Sequence, residues 1–100
     1  MSETSELTGP LVKMLKEAGV IAIRMQSGKV KVRGGWMMLA PAGTADILCF
    51  PSKRPVTWIE TKTLKGELRE KQEEFCIRVT EQGHRYIVAR TIDEGLEAIK

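Results

Sequence analysis

Asp46 and Glu60 each fall in an apolar, strand-like run, Ala-Asp-Ile-Leu-Cys-Phe and Val-Thr-Trp-Ile-Glu-Thr-Lys, where a hydrophobic residue would suit burial better. A charge buried there must be compensated. The two runs are joined by a Pro-containing loop, and Asp46 and Glu60 each lie seven positions from its centre at Lys53. An antiparallel hairpin about that centre sets them opposite one another on one face, with Cβ atoms about 5 Å apart. Two ionised carboxylates that close repel, so the pair must share a proton or hold a cation. Lys62 shares the face of Glu60, because side chains alternate along a strand. Two carboxylates beside an ammonium suit phosphodiester hydrolysis: a hard divalent cation takes the oxygen ligands, and the lysine orients water or neutralises developing charge. A simpler arrangement uses the same residues, a structural Glu60–Lys62 salt bridge with Asp46 as an edge-strand charge. An acid followed two residues on by Lys arises by chance about once in a chain of this composition.

The elements that must position these residues follow from periodicity and punctuation. Leu7, Leu11, Met14, Leu15 and Ala18 recur at helical steps, predicting a helix from about Thr4 to Ala18, interrupted at Gly9-Pro10 and stopped by Gly19. Val20 to Met25 reads as a strand. Lys29 to Arg33 alternates, and Gly34-Gly35 followed by Trp36 to Leu39 completes a hairpin signal. Ala45 to Phe50 and Val56 to Lys62 are strands. Leu68, Gln72, Phe75, Cys76 and Val79 form one stripe of a second helix, about Leu68 to Gln82. Tyr86 to Ala89 is a last strand, and Ile92, Leu96 and Ile99 mark a closing helix that Thr91 caps. The order predicts an α/β fold, a mixed central sheet flanked by helices.

Composition sets bounds on partners. One hundred residues with 42% hydrophobic content make a single domain, 1–100. No apolar run approaches the length of a membrane span, and Met1 to Gly9 lacks a signal-peptide profile, which predicts a cytoplasmic protein. Cys49 and Cys76 read as small buried hydrophobes, and two cysteines with the lone His84 make no zinc set. The net charge of +3 gives a mild preference for polyanions. Lys29, Lys31 and Arg33 project from one face of the hairpin, as phosphate contacts or as a solvated strand face. Arg24, Lys65 and Arg69 are expected near the carboxylate end of the sheet. Trp36, Met37 and Met38 are expected in the core, with a self-association surface as the alternative.

Gly43-Thr44-Ala45-Asp46, Trp58-Ile59-Glu60-Thr61-Lys62, Gly66-Glu67-Leu68 and Gln72 to Phe75, in that order and spacing, resemble the virus-type replication-repair nuclease (VRR-NUC) family of the PD-(D/E)XK superfamily. The resemblance extends from Glu6 in the first helix, through Gly19, Arg24 and Ser27-Gly28, to Gly83 and the last strand and helix. Ala45 stands where the family's Gly-x-Pro-Asp has proline, and Arg69-Glu70 where Ser-Pro commonly starts the helix. The resemblance implies a restriction-endonuclease-like core and Mg²⁺ or Mn²⁺ held by Asp46, Glu60, the Thr61 carbonyl and Glu6. It implies Lys62 as catalytic lysine and Gln72 approaching the site from the second helix. A first-turn Glu6 also suits the helix dipole, and Gln72 also reads as a polar break in an apolar stripe. The implied activity is structure-specific DNA cleavage in DNA repair, four-way (Holliday) junctions included, by a protein encoded by a bacterium or phage; because such a junction has two symmetric strands to cut and one site opens one strand, a homodimer is expected. The alternatives are a flap or single-strand nuclease, a junction resolvase of another branch, and a non-catalytic nucleic-acid-binding domain of the same fold.

Overall fold

The computed structural model describes residues 5–100. Helix α1, Ser5–Glu17, leads into β1, Ile21–Arg24, then a ribbon of β2, Lys29–Val32, and β3, Gly35–Met38. Strands β4, Ile47–Phe50, and β5, Thr57–Thr61, precede α2, Glu70–Glu81, and β6, Arg85–Ala89. A short α3, Ile92–Gly95, continues as one 3-10 turn through Leu96–Ile99. Among the described residues no helix is long and apolar enough to cross a membrane.

The main sheet runs β1-β4-β5-β6, antiparallel except for the parallel β5–β6 pair that α2 connects. Ile47 pairs with Ile59 and Leu48 with Trp58, the register anticipated from the loop centre, and Lys53 at that centre takes a left-handed φ of 58°. One face, carrying Ala22, Ile47, Cys49, Ile59 and Ala89, packs on Leu11, Val12 and Leu15 of α1 and Ala98 to form the core. Cys49 is a buried free thiol there, pushed up to about 11 by burial, and Cys76 is a half-buried free thiol on α2. The opposite face is covered on one side by α2, where Phe75 meets Trp58 edge-on at 4.9 Å and Tyr86 at 6.3 Å. Its other side is bare: Ile21, Ile23 and Phe50 remain 63%, 45% and 43% exposed.

Three expectations change. Helix α1 runs straight through Pro10, which removes only the donor for the Glu6 carbonyl, a loss outweighed by burial of Leu11, Val12 and Leu15. The predicted start at Thr4 lies outside the described residues. The β2–β3 hairpin is a separate two-stranded sheet. Trp36, Met37 and Met38 are not core residues but 67%, 50% and 66% exposed, because no layer of the fold reaches that ribbon. As anticipated, Thr91 caps the closing helix, accepting from the Glu94 N–H at 3.2 Å.

Gly95 is where that helix touches α1, and a Cβ there would overlap the methyls of the fully buried Leu11. Gly95→Ala should therefore destabilise the protein by about 1–3 kcal/mol through overpacking. Thermal unfolding checks this, with Gly83→Ala, where a Cβ meets open space at φ +88°, as a control for backbone strain alone.

Candidate active site

Asp46 immediately precedes β4, and its carboxylate lies beside that of Glu60, close enough to act on its charge. The Asp46 Oδ2 accepts from the Thr61 N–H at 2.9 Å and the Thr61 hydroxyl at 2.8 Å. That hydroxyl also meets the Thr8 hydroxyl of α1 at 2.6 Å, so Asp46 is held from the core side of the sheet. Glu60, 3% exposed, is held from the other side. Its Oε2 accepts from Gln72 Nε2 at 3.2 Å and lies 3.9 Å from Lys62 Nζ. The Gln72 Oε1 accepts the Arg69 N–H at 2.8 Å, so the same amide closes the first turn of α2 and addresses the carboxylate. Gly43, at φ +93°, lies so close to Lys71 that a Cβ would overlap its backbone carbonyl, which seats the start of α2 against the loop before Asp46.

The two carboxylates interact. Burial, then the neighbouring Asp46 carboxylate, push Glu60 up to about 8, and Lys62 opposes this without reversing it. Lys62 forms the anticipated salt bridge to Glu60, but at 3.9 Å the contact is beyond hydrogen-bond distance and reaches only Oε2. Apart from the side-chain hydrogen bond that Glu60 shares with Asp46, no partner among the described residues reaches the buried Glu60 Oε1, nor the buried Tyr86 hydroxyl, whose phenol is held well above its ordinary value by burial and the charge of Glu60. A buried orphan oxygen beside a second carboxylate is a donor set that fits a hard divalent cation, with water or phosphate oxygens completing the shell.

The remaining expected residues divide. Arg24 and Lys29 line a cleft of about 330 Å³ with Asp46, Thr8, Gln26 and Ser27. Lys31 and Arg33 lie further along the exposed ribbon, and Lys65 and Arg69 are exposed in the approach to α2. Glu6 is exposed in the first turn of α1, and among the described residues no third Asp, Glu, His or Cys completes a group of three that could hold a metal. Thr8, the Thr61 hydroxyl, Tyr86 and Arg90 are additions from the structure. Arg90 Nη2 donates to the Gly66 carbonyl at 2.7 Å and fixes the turn that follows Lys62. Of these, only Thr61 carried a signal, its place between Glu60 and Lys62.

One solved structure described as a VRR_NUC domain superposes with a TM-score of 0.65, covering 96% of this chain and 94% of that one at 14% sequence identity. That likeness establishes the α/β fold resembled by the motifs. No family model matches the sequence, and no curated protein is found similar to it.

The folded protein holds a proton on Glu60 that the unfolded chain releases from about 4.5 upward, so its stability in EDTA should fall as pH rises through about 8. The loss should be on the order of a few kcal/mol. Unfolding temperatures from acid to alkaline buffer should show this slope in the wild type and a flat profile in Glu60→Gln. Asp46→Asn keeps an acceptor for Thr61 while removing repulsion, and its stability in EDTA should equal or exceed the wild type; a drop of several degrees would mark Asp46 as a structural ion-pair partner.

Proposed function

We propose that this chain is a Mg²⁺- or Mn²⁺-dependent endonuclease that hydrolyses phosphodiester bonds of branched DNA, four-way junctions included. The observation that carries the reading is the buried Glu60, with its orphan oxygen, beside the half-buried Asp46, on a fold shared with a VRR_NUC domain. Asp46, Glu60 and the Thr61 carbonyl are the residues that would hold the cation, which supplies a Lewis acid for the phosphate oxygen. Glu6, exposed in the first turn of α1, is a further candidate for that set.

The protein's own groups do the rest. Thr61 fixes Asp46 through two hydrogen bonds, and Gln72 fixes Glu60 through one. Both carboxylates are thereby oriented before substrate arrives, with no reorganisation left to make. Lys62, with its side chain 13% exposed, is partly shielded, so its charge acts strongly on a phosphate or water beside Glu60. Arg24 and Lys29 offer the flanking phosphates two cations in the cleft beside Asp46.

Labelled duplex, flap, splayed and four-way DNAs incubated with Mg²⁺, Mn²⁺ or EDTA test this directly. Cleavage is expected with either metal and absent in EDTA. Asp46→Ala, Glu60→Ala and Lys62→Ala should each lower it at least about a hundredfold. Robust cutting in EDTA, or by Asp46→Ala, refutes the assignment; branch-selective binding without any cleavage would instead favour a non-catalytic binding domain.

A four-way junction presents two symmetric strands, and two copies of one site match it. The bare sheet face of Ile21, Ile23 and Phe50 is the patch assigned to self-association, in place of Trp36 to Met38, whose side chains alternate between the two faces of the ribbon. Light scattering should return twice the 11.2 kDa chain mass, and Ile23→Glu should halve it. A wild-type monomer, free and on junction DNA, would favour flap or single-strand cutting.

A further inference from the structure

The β2–β3 ribbon stands apart from the main sheet and carries two unlike faces. Lys29 pairs with Met38 and Lys31 with Trp36, so these four side chains share one face, while Val30, Val32 and Met37 share the other. Cross-strand partners stand with Cβ atoms about 5 Å apart, which lines a basic strand up beside an apolar one. Trp36 and Met38 are 67% and 66% exposed, too much for packing partners within this chain. Lys29 also lines the cleft that contains Asp46, so the basic edge of the ribbon is continuous with the carboxylate site.

We infer that the Lys29–Lys31–Trp36–Met38 face of the ribbon binds the DNA strand leaving the active site, with Trp36 stacking on an unpaired or unstacked base at the branch. The occupant follows from the pattern. A partner of this face must offer negative charge at the spacing of two strand residues and a flat apolar surface directly beside it. A nucleotide strand has both, phosphate on one edge and a base on the other. A second copy of this chain suits the face poorly, because it would gather Lys29 and Lys31 of both copies into one interface with no carboxylate of the face to offset them. In an intact duplex the bases are stacked and closed to Trp36, whereas at a branch they are available. The ribbon thereby selects branched over continuous DNA without reading sequence. This reading rests on the nuclease assignment for the strand's path, though binding can be measured apart from cleavage.

The test measures fluorescence anisotropy in EDTA with a four-way junction, a flap and a duplex of matched sequence, and places 2-aminopurine at the branch nucleotide. Trp36→Ala is expected to weaken branched DNA about tenfold or more, the scale of one lost base stack, and leave the duplex within about twofold. Trp36→Phe should recover most of the loss. Wild-type protein should quench the branch 2-aminopurine, and Trp36→Ala should not. Lys31→Ala should weaken all three DNAs alike and reduce the salt slope by about one. Equal branched binding by wild type and Trp36→Ala would overturn the inference, as would a fall from dimer to monomer mass in Trp36→Ala. Metal-dependent cleavage with Trp36→Ala indistinguishable from wild type sinks the ribbon alone. Branch preference that depends on Trp36, with no cleavage of any DNA in Mg²⁺ or Mn²⁺, sinks the nuclease reading and leaves the ribbon standing.

Discussion

The structure turns on two neighbouring carboxylates, Glu60 buried and Asp46 half-buried at the edge of a cleft. At about 5 Å and an effective dielectric of about 20, the repulsion between two such charges is on the order of 3 kcal/mol, a large share of the stability of a small domain. Glu60 answers by keeping its proton to about 8. The neighbouring groups divide the remaining oxygens among them. Thr61 occupies one oxygen of Asp46, while Gln72 and Lys62 approach one oxygen of Glu60. Of the two oxygens left over, Glu60 Oε1 is buried with no hydrogen-bond partner among the described residues.

That arrangement needs both layers of helix. Thr8 of α1 reaches the pair through Thr61 from the core face and Gln72 of α2 reaches it from the opposite face, so the site sits at the end of the central strands β4 and β5, held from both faces. The parallel β5–β6 connection makes this possible, because a crossover between parallel strands places a helix over the sheet. In return α2 must be seated accurately, and Gly43 and the Arg90–Gly66 bond fix its two approaches.

Much of this was legible in the sequence because it depends on local rules. The hairpin between β4 and β5 is short, so a loop centre at Lys53 sufficed to pair Ile47 with Ile59 and to set Asp46 near Glu60. Thr91 and Gln72 occupy cap positions that sequence spacing defines, although only the structure shows that Gln72 serves α2 and Glu60 together. What stayed hidden depends on long-range meetings. Thr8 and Thr61 are 53 positions apart, and Arg90 and Gly66 are 24, and nothing in either segment announces the other. Trp36 to Met38 misled for the converse reason: an apolar cluster looks like core unless one knows that no layer covers it.

Gln72 has a consequence for which substitutions the chain can tolerate. At the third position of a helix, glutamate and glutamine close the first turn equally well, since either oxygen accepts the backbone N–H. Elsewhere on a surface helix the two would drift freely into one another. Here the far side of the amide must donate to Glu60, and a carboxylate has no hydrogen to give once ionised. The exchange would leave the helix intact while adding a third negative charge to a pair that already cannot hold two. A single nitrogen therefore separates a neutral replacement from a damaging one, at a position where helix-forming tendency alone registers no difference.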